Sequence, residues 1–182
     1  SIYNTEPIYD LEEKTVYSDV GIITLGKIIE KVSLNDLNTY VEDNITNPLG
    51  MHTTFFNPPK EKINRIVPTE INENNNLIKG CVHDENALKL GGVAGHAGLF
   101  STTKDLATFS QMMLNEGIYR WKRIFKPETI SLFTSRANVI EGSSRCYGWD
   151  SPSGKASGGV YISDNSFGHT GFTGTSLWID KE

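Results

Sequence analysis

Four groups of residues in this sequence have the types and spacing for chemistry. The first is Gly168-His169-Thr170-Gly171-Phe172-Thr173-Gly174, an ionisable ring and two hydroxyls set among three glycines. Glycine lets a ligand or another backbone approach a strand closely, and it weakens a strand that only packs. A strand edge with bare N–H groups beside a histidine suits a carbonyl or a carboxylate. The same residues also fit a glycine-rich hairpin with a surface histidine. The second group, Tyr17-Ser18-Asp19, places a phenol, a hydroxyl and a carboxylate just before an apolar helical pattern.

The third group is Ser101-Thr-Thr-Lys104, the only Ser-x-x-Lys in the chain. That spacing sets a lysine one helical turn from a serine, where it could act as its base. The spacing from Thr102 to Asp105 also makes these residues a helix cap, which is the preferred reading. The fourth is His83, Asp84, Glu85 and His96, all metal-ligand types. Adjacent residues on one segment rarely converge on one ion, and neither HExxH nor CxxC occurs, so no metal is expected. No cofactor is expected either, since Gly92-Val-Ala-Gly-His-Ala-Gly98 lacks the Gly-Lys-Ser/Thr ending of a phosphate loop.

These groups need elements to hold them. Val20, Ile23, Ile28 and Val32 predict a helix with one apolar face, widened by Ile22, Leu25 and Ile29; Ser18 and Asp19 are both good N-cap types. A second helix is expected from Ser33, with Ser33 and Asp36 as an acidic capping box, a face of Leu34, Leu37, Val41 and Ile45, and a stop by Asn47 before Pro48. Residues from Leu49 to about Asn76 read as a long Asn/Pro-rich loop of the kind that is often functional. A third helix is predicted near Thr102, with Leu106, Phe109 and Met113 inward and Gly117 as its stop. A short fourth helix starts at Pro127 with Ile130 and Phe133 on its apolar side. Strands and turns follow from Arg145. Cys146-Tyr-Gly-Trp149 and Thr175 to Asp180 are strand candidates, and residues 151–159 form a turn or loop.

Helices first and strands last predict an α+β fold. The length of 182 residues suits one domain, with a mainly helical lobe over about 15–135 and sheet strands over about 145–182. A net charge of −5 argues against nucleic acid or an anionic membrane as partner. No stretch reaches the ~18 consecutive apolar residues of a membrane span. Two cysteines are too few for a disulfide scaffold and are expected as free thiols.

Taken in order, the blocks YSDVGIITLGKIIEKVS (17–33), NPLGM (47–51), GGVAGHAGLFSTTKDLATFSQMML (91–114) and FGHTGFTGTSLWID (167–180) resemble the β-lactamase-related serine hydrolases. That family includes penicillin-binding D-alanyl-D-alanine peptidases, class C β-lactamases and related esterases. The likeness extends from Tyr17 to Glu182 and implies a β-lactamase/transpeptidase-like fold. It implies that Tyr17 matches the tyrosine of the Tyr-x-Asn element, which assists proton transfer to and from the serine. Asp19 stands where Asn is commoner. His169, Thr170 and Gly171 match the Lys/His-Thr-Gly strand that flanks the nucleophile and receives the substrate, and the N–H of Phe172 matches an oxyanion-hole donor.

The family's Ser-x-x-Lys nucleophile precedes the tyrosine element, and none lies in residues 1–16. The expectation is therefore the C-terminal portion of a longer enzyme, partnered by its own missing N-terminal part. The resemblance further implies acyl-enzyme hydrolysis of a D-Ala peptide, a β-lactam-like amide or a small ester, and it suggests the cell envelope. A non-catalytic protein of the same fold that binds peptidoglycan or D-amino-acid peptides is the alternative.

Overall fold

A computed structural model describes residues 4–153 and 158–182. They gather into two compact units, one of Ser18–Leu106 and one of residues 4–17 with Ala107–Glu182. The fold is α+β.

The first unit begins with α1 (Asp19–Ser33), whose N-cap Ser18 makes no side-chain cap bond. Only Ile23 and Gly26 of α1 are buried; Leu25, Ile28 and Val32 are 54, 50 and 79% exposed. The expected broad apolar face is thus mostly uncovered within this unit. Ser33 closes α1 instead of opening the next helix, and Leu34 turns into the left-handed region at φ 59°. Leu34 therefore leaves the predicted face and is 90% exposed.

Helix α2 (Leu37–Val41) is capped by Asp36, whose carboxylate accepts the Thr39 N–H at 2.9 Å. It continues through a π-helical turn (Glu42–Thr46) into α3 (Asn47–Leu49) and ends at Gly50, φ 70°. The run thus passes the expected stop at Asn47. The wider turn shifts the hydrogen-bond register, and Pro48, with no N–H to offer, falls at the start of the next short helix, where none is required.

The long loop carries β1 (Phe55–Phe56), a 3₁₀ turn (Lys60–Arg65), and the hairpin of β2 (Glu70–Ile71) with β3 (Leu77–Ile78). Next come α4 (Glu85–Lys89) and β4 (Leu99–Phe100), which pairs antiparallel with β1. Ile23, Leu37, Leu49, Met51, Ala87 and Ala94 are buried here.

Helix α5 (Thr103–Leu114) starts at the predicted cap, where the Asp105 N–H donates to Thr102 Oγ1 at 3.3 Å. The Asp105 side chain does not complete a capping box. It is buried and accepts from Thr53 N, Thr53 Oγ1 and Thr54 Oγ1 at 2.8, 2.8 and 2.9 Å. Burial alone would raise this carboxyl, but the Thr53 and Thr54 bonds outweigh it and hold the group below the ordinary carboxylate range.

In the second unit α5 buries Met112 and Met113, and Gly117 closes the helix at φ 87° by donating to Met112 O at 2.9 Å. The hairpin of β5 (Ile118–Tyr119) with β6 (Lys122–Arg123) leads to α6 (Pro127–Thr134), with Pro127 in its first turn and Ile130 buried. Cys146-Tyr-Gly-Trp149 is a tight turn where a strand was expected: Gly148 has φ 83°, and the Cys146 N–H donates to Trp149 O at 2.9 Å. Of the predicted loop at 151–159, residues 154–157 lie outside the described residues. The closing hairpin pairs β7 (Phe167–Thr170) with β8 (Ser176–Ile179), His169 opposite Leu177. Phe167 is fully buried, with Trp149 edge-on to it at 5.3 Å between centroids. Burying such a ring contributes about 2–3 kcal/mol.

Candidate functional site

Strand β7 has two paired edges. On one side lies β8; on the other, Asp150 exchanges N–H···O bonds of 2.8 and 2.9 Å with Gly168. Gly168 is required here, because a Cβ would run into the Leu177 carbonyl and the Trp178 ring. Arg145 bridges to Asp150 at the open end of the 146–149 turn, which brings its side chain alongside His169.

Arg145 Nη1 lies 3.3 Å from His169 Nε2, and His169 Nδ1 lies 2.7 Å from Thr170 O. A guanidinium only donates and a carbonyl only accepts. The two bonds therefore fit one tautomer, with Nδ1–H donating to Thr170 O and the Nε2 lone pair accepting from Arg145. In this arrangement His169 offers no N–H to a ligand. The positive charge at the strand belongs to Arg145.

The Arg145 guanidinium also lies over the Tyr17 ring, 5.3 Å from its centroid, and Tyr17 stacks on His169 at 5.9 Å with a 22° interplanar angle. Tyr17 is 71% exposed, so the cluster faces solvent. Thr170 ends β7, exposed. Gly171 and Phe172 lead into the turn, which is closed by Gly171 N–H to Thr175 O at 2.7 Å and Gly174 N–H to Gly171 O at 3.0 Å. The Phe172 ring is exposed.

The predicted residues Tyr17, His169, Thr170, Gly171 and Phe172 thus fall in one unit, with Tyr17 and His169 in ring contact. Asp19 belongs to the other unit as the first residue of α1. Sequence reasoning missed Arg145. Its only trace was a basic residue at the start of the strand-rich end, and no spacing rule links it to His169.

Ser101 Oγ sits 2.7 Å from Thr54 Oγ1, inside the hydroxyl network around Asp105. His83 faces Glu70 at 3.6 Å. Asp84 caps α4 by accepting the Ala87 N–H at 2.7 Å, and the same oxygen lies 2.7 Å from His96 Nε2. Burial works to raise the Asp84 carboxyl, but the Ala87 N–H and His96 outweigh it and hold the group below its ordinary value. Cys81 and Cys146 are free thiols; burial, then the neighbouring Asp150, pushes the Cys146 thiol up. Among the described residues no helix is long and apolar enough to cross a membrane.

A helical unit feeding an antiparallel hairpin with a His-Thr-Gly strand defines a β-lactamase/transpeptidase-like fold. The octameric penicillin-binding protein homologue of Pyrococcus abyssi superposes with TM-score 0.64 at 22% identity, over 96% of this chain and 37% of its own. A penicillin-binding protein homologue of Caulobacter crescentus superposes with TM-score 0.71 at 16% identity, over 97% and 52%. These likenesses concern the fold alone. The Beta-lactamase family model matches residues 1–182, and the chain belongs to that family. A protein of Escherichia coli K12 provisionally named D-alanyl-D-alanine carboxypeptidase is 39% identical over 94% of this chain and 43% of its own length. Its counterpart in Salmonella gallinarum is 39% identical over 94% and 44%. The chain therefore spans less than half the length of these curated relatives.

Proposed function

We propose that this chain serves a serine hydrolase that works through an acyl-enzyme on substrates ending in a carboxylate, with D-Ala-terminated peptides as the first class. The observation that carries this reading is the convergence of Arg145, His169 and Tyr17 at the end of β7. A guanidinium beside exposed Thr170 suits a carboxylate, because it offers paired, charge-assisted donors. Tyr17 is assigned the proton relay to and from the attacking serine, and the Phe172 N–H one oxyanion contact, where such a donor is worth about 3 kcal/mol. His169 holds Arg145 and Tyr17 in place through its Nε2 and its ring face. Ser101 is committed to the Asp105 network, so the acylated serine is sought elsewhere than in Ser101-Thr-Thr-Lys104.

Intact-mass spectrometry of the whole protein after exposure to a penicillin and to a fluorophosphonate tests the proposal. A mass gain at one serine, lost or slowed in Tyr17→Phe, is expected. No adduct with either reagent would overturn it. One other reading uses the same exposed Arg145–Thr170 end of β7, a non-catalytic binder of the same peptides; it predicts saturable D-Ala-peptide binding and no adduct.

A further inference from the structure

The hairpin of β5 with β6 turns on two residues, Arg120 and Trp121, both in the left-handed region at φ 44° and 69°. Positive φ at both central positions is the type I′ geometry, which favours Asn-Gly because a side chain is strained there. This chain instead sets a guanidinium and an indole at the tip. Trp121 gains no packing in return, since it is 99% exposed. Strain kept at a tip without compensating burial points to side chains used outward.

The base of the hairpin is held firmly. Gly117 O accepts from the Ile124 and Phe125 N–H groups at 2.8 and 3.3 Å. Arg123 Nη1 donates to the Glu116 and Phe125 carbonyls at 3.1 and 3.0 Å. Arg120, Lys122, Arg123 and Lys126 are all exposed, and no acidic residue lies between Glu116 and Glu128. Among the described residues none of these four cations is in an ion pair. The Arg120 guanidinium lies over the Tyr119 ring, 5.4 Å from its centroid, and not over Trp121.

An indole flanked by cations suits a bilayer interface. The ring sits at the headgroup level with its N–H in water, and the cations meet lipid phosphates. A long polyanion fits less well, because it would run beyond the tip along a chain whose net charge is −5. A bilayer needs the tip alone. The negative total that argues against an anionic membrane is an average over the chain, and the stretch from Gly117 to Pro127 departs from it.

We propose that the Arg120–Trp121 tip is a peripheral docking site for an anionic lipid surface. Trp121 enters the headgroup level, Arg120 and Lys122 meet phosphates, and Arg123 and Lys126 add to the local potential. The contact is weak and salt-dependent, as for any single short interfacial element. It stands apart from the acyl-enzyme reading.

Co-sedimentation of the whole protein with vesicles of equimolar phosphatidylglycerol and phosphatidylcholine, against phosphatidylcholine alone, tests it. Binding to the anionic vesicles at about 0.1 M salt is expected, with loss by about 1 M, where screening shortens from about 10 Å to about 3 Å. Tryptophan emission should shift to the blue on binding. The deciding variant is Arg120→Asn with Trp121→Gly. It should melt higher than the parent, because its turn is relaxed, yet bind the vesicles at least about tenfold more weakly. Lys122→Gln, which leaves the turn unchanged, should weaken binding about fivefold. Lys89→Gln, an exposed position in the other unit, should bind like the parent. No sedimentation with anionic vesicles, equal binding to phosphatidylcholine, full binding by either tip variant, or an equal loss in Lys89→Gln would each overturn the site. So would soluble polyphosphate bound as tightly as the vesicles, which would assign the tip to polyanions instead.

Discussion

Two histidines, each in a glycine-rich setting, end up in opposite situations. His169 is part-exposed, and both ring nitrogens have partners, Arg145 on one side and the Thr170 carbonyl on the other. His96 is 5% exposed, and one of its nitrogens has none. The His169 ring is complete as it stands and presents its neighbours, Arg145 and Tyr17, to solvent. The His96 ring is buried against Asp84, with its other nitrogen unsatisfied. A satisfied exposed imidazole can serve as scaffolding for a binding surface. A buried imidazole with an orphan nitrogen instead carries a desolvation cost that its surroundings must offset.

The most damaging way to break the comparison is to remove the floor under His169. Phe167→Ala empties the fully buried position two residues before it. A loss of about 3–5 kcal/mol in urea unfolding is expected. A loss under 1 kcal/mol would mean that the hairpin does not depend on that core. Arg145→Ala is the next largest, and it should act on substrate rather than on stability. It should lower kcat/KM for a carboxylate-terminated peptide by about 100-fold, the scale of a lost charge-assisted pair. The carboxamide analogue should change little. Arg145→Lys should restore only part of the loss, since an ammonium lacks the paired donors. Equal losses on both substrates would make Arg145 structural.

On the His96 side the sharper tool is a pair of glycines. Gly95→Ala must push its Cβ against the Ile22 carbonyl, and a cost of about 1–3 kcal/mol is expected. Gly21→Ala, in the first turn of α1, meets nothing within 4 Å. There alanine should stabilise the helix by about 0.5–1 kcal/mol. Thermal unfolding of the two variants side by side checks the opposite signs. Stabilisation by Gly95→Ala would show that α1 and the His96 loop are not pressed together.

The parts of the molecule legible in the sequence are those with short-range causes. The cap at Thr102, the stop at Gly117, the start at Pro127 and the β7–β8 hairpin all follow from residues a few positions apart. The passage through Pro48 was not legible, because a π turn depends on register rather than composition. Nor was the exposure of α1: its apolar residues surround most of the helix, and periodicity does not say which of them are covered. At the site, the Gly-His-Thr-Gly strand and Tyr17 could be read directly. Arg145 could not, since it reaches His169 only through the bridge of Asp150 to Gly168. The approach of α1 to Gly95 is likewise a contact that no spacing within one segment reveals.

The smallest effect concerns one carboxylate in each unit, Asp105 in the Thr53–Thr54 hydroxyl network and Asp180 at the end of the hairpin that carries His169. Asp180 accepts from Ser163 Oγ at 2.6 Å and Ser163 N at 3.0 Å, and these bonds, with the Glu182 N–H, lower its pKa to about 2. Its folded pKa lies below the ordinary value of about 3.9 expected in the unfolded chain. The charged form is therefore favoured by folding, and its contribution is complete above pH ~4 and lost as pH falls from ~4 toward ~2. Asp180 is solvated, so screening keeps the effect small. Asp105 shifts in the same direction, and its contribution is lost over the same acid side. Asp180→Asn should be less stable than the parent at pH 5, with the gap closing toward pH 2. A gap that stays constant across that range would mean that the Ser163 bonds stabilise the amide as well as the carboxylate, and that the charge at the end of the His169 hairpin contributes nothing.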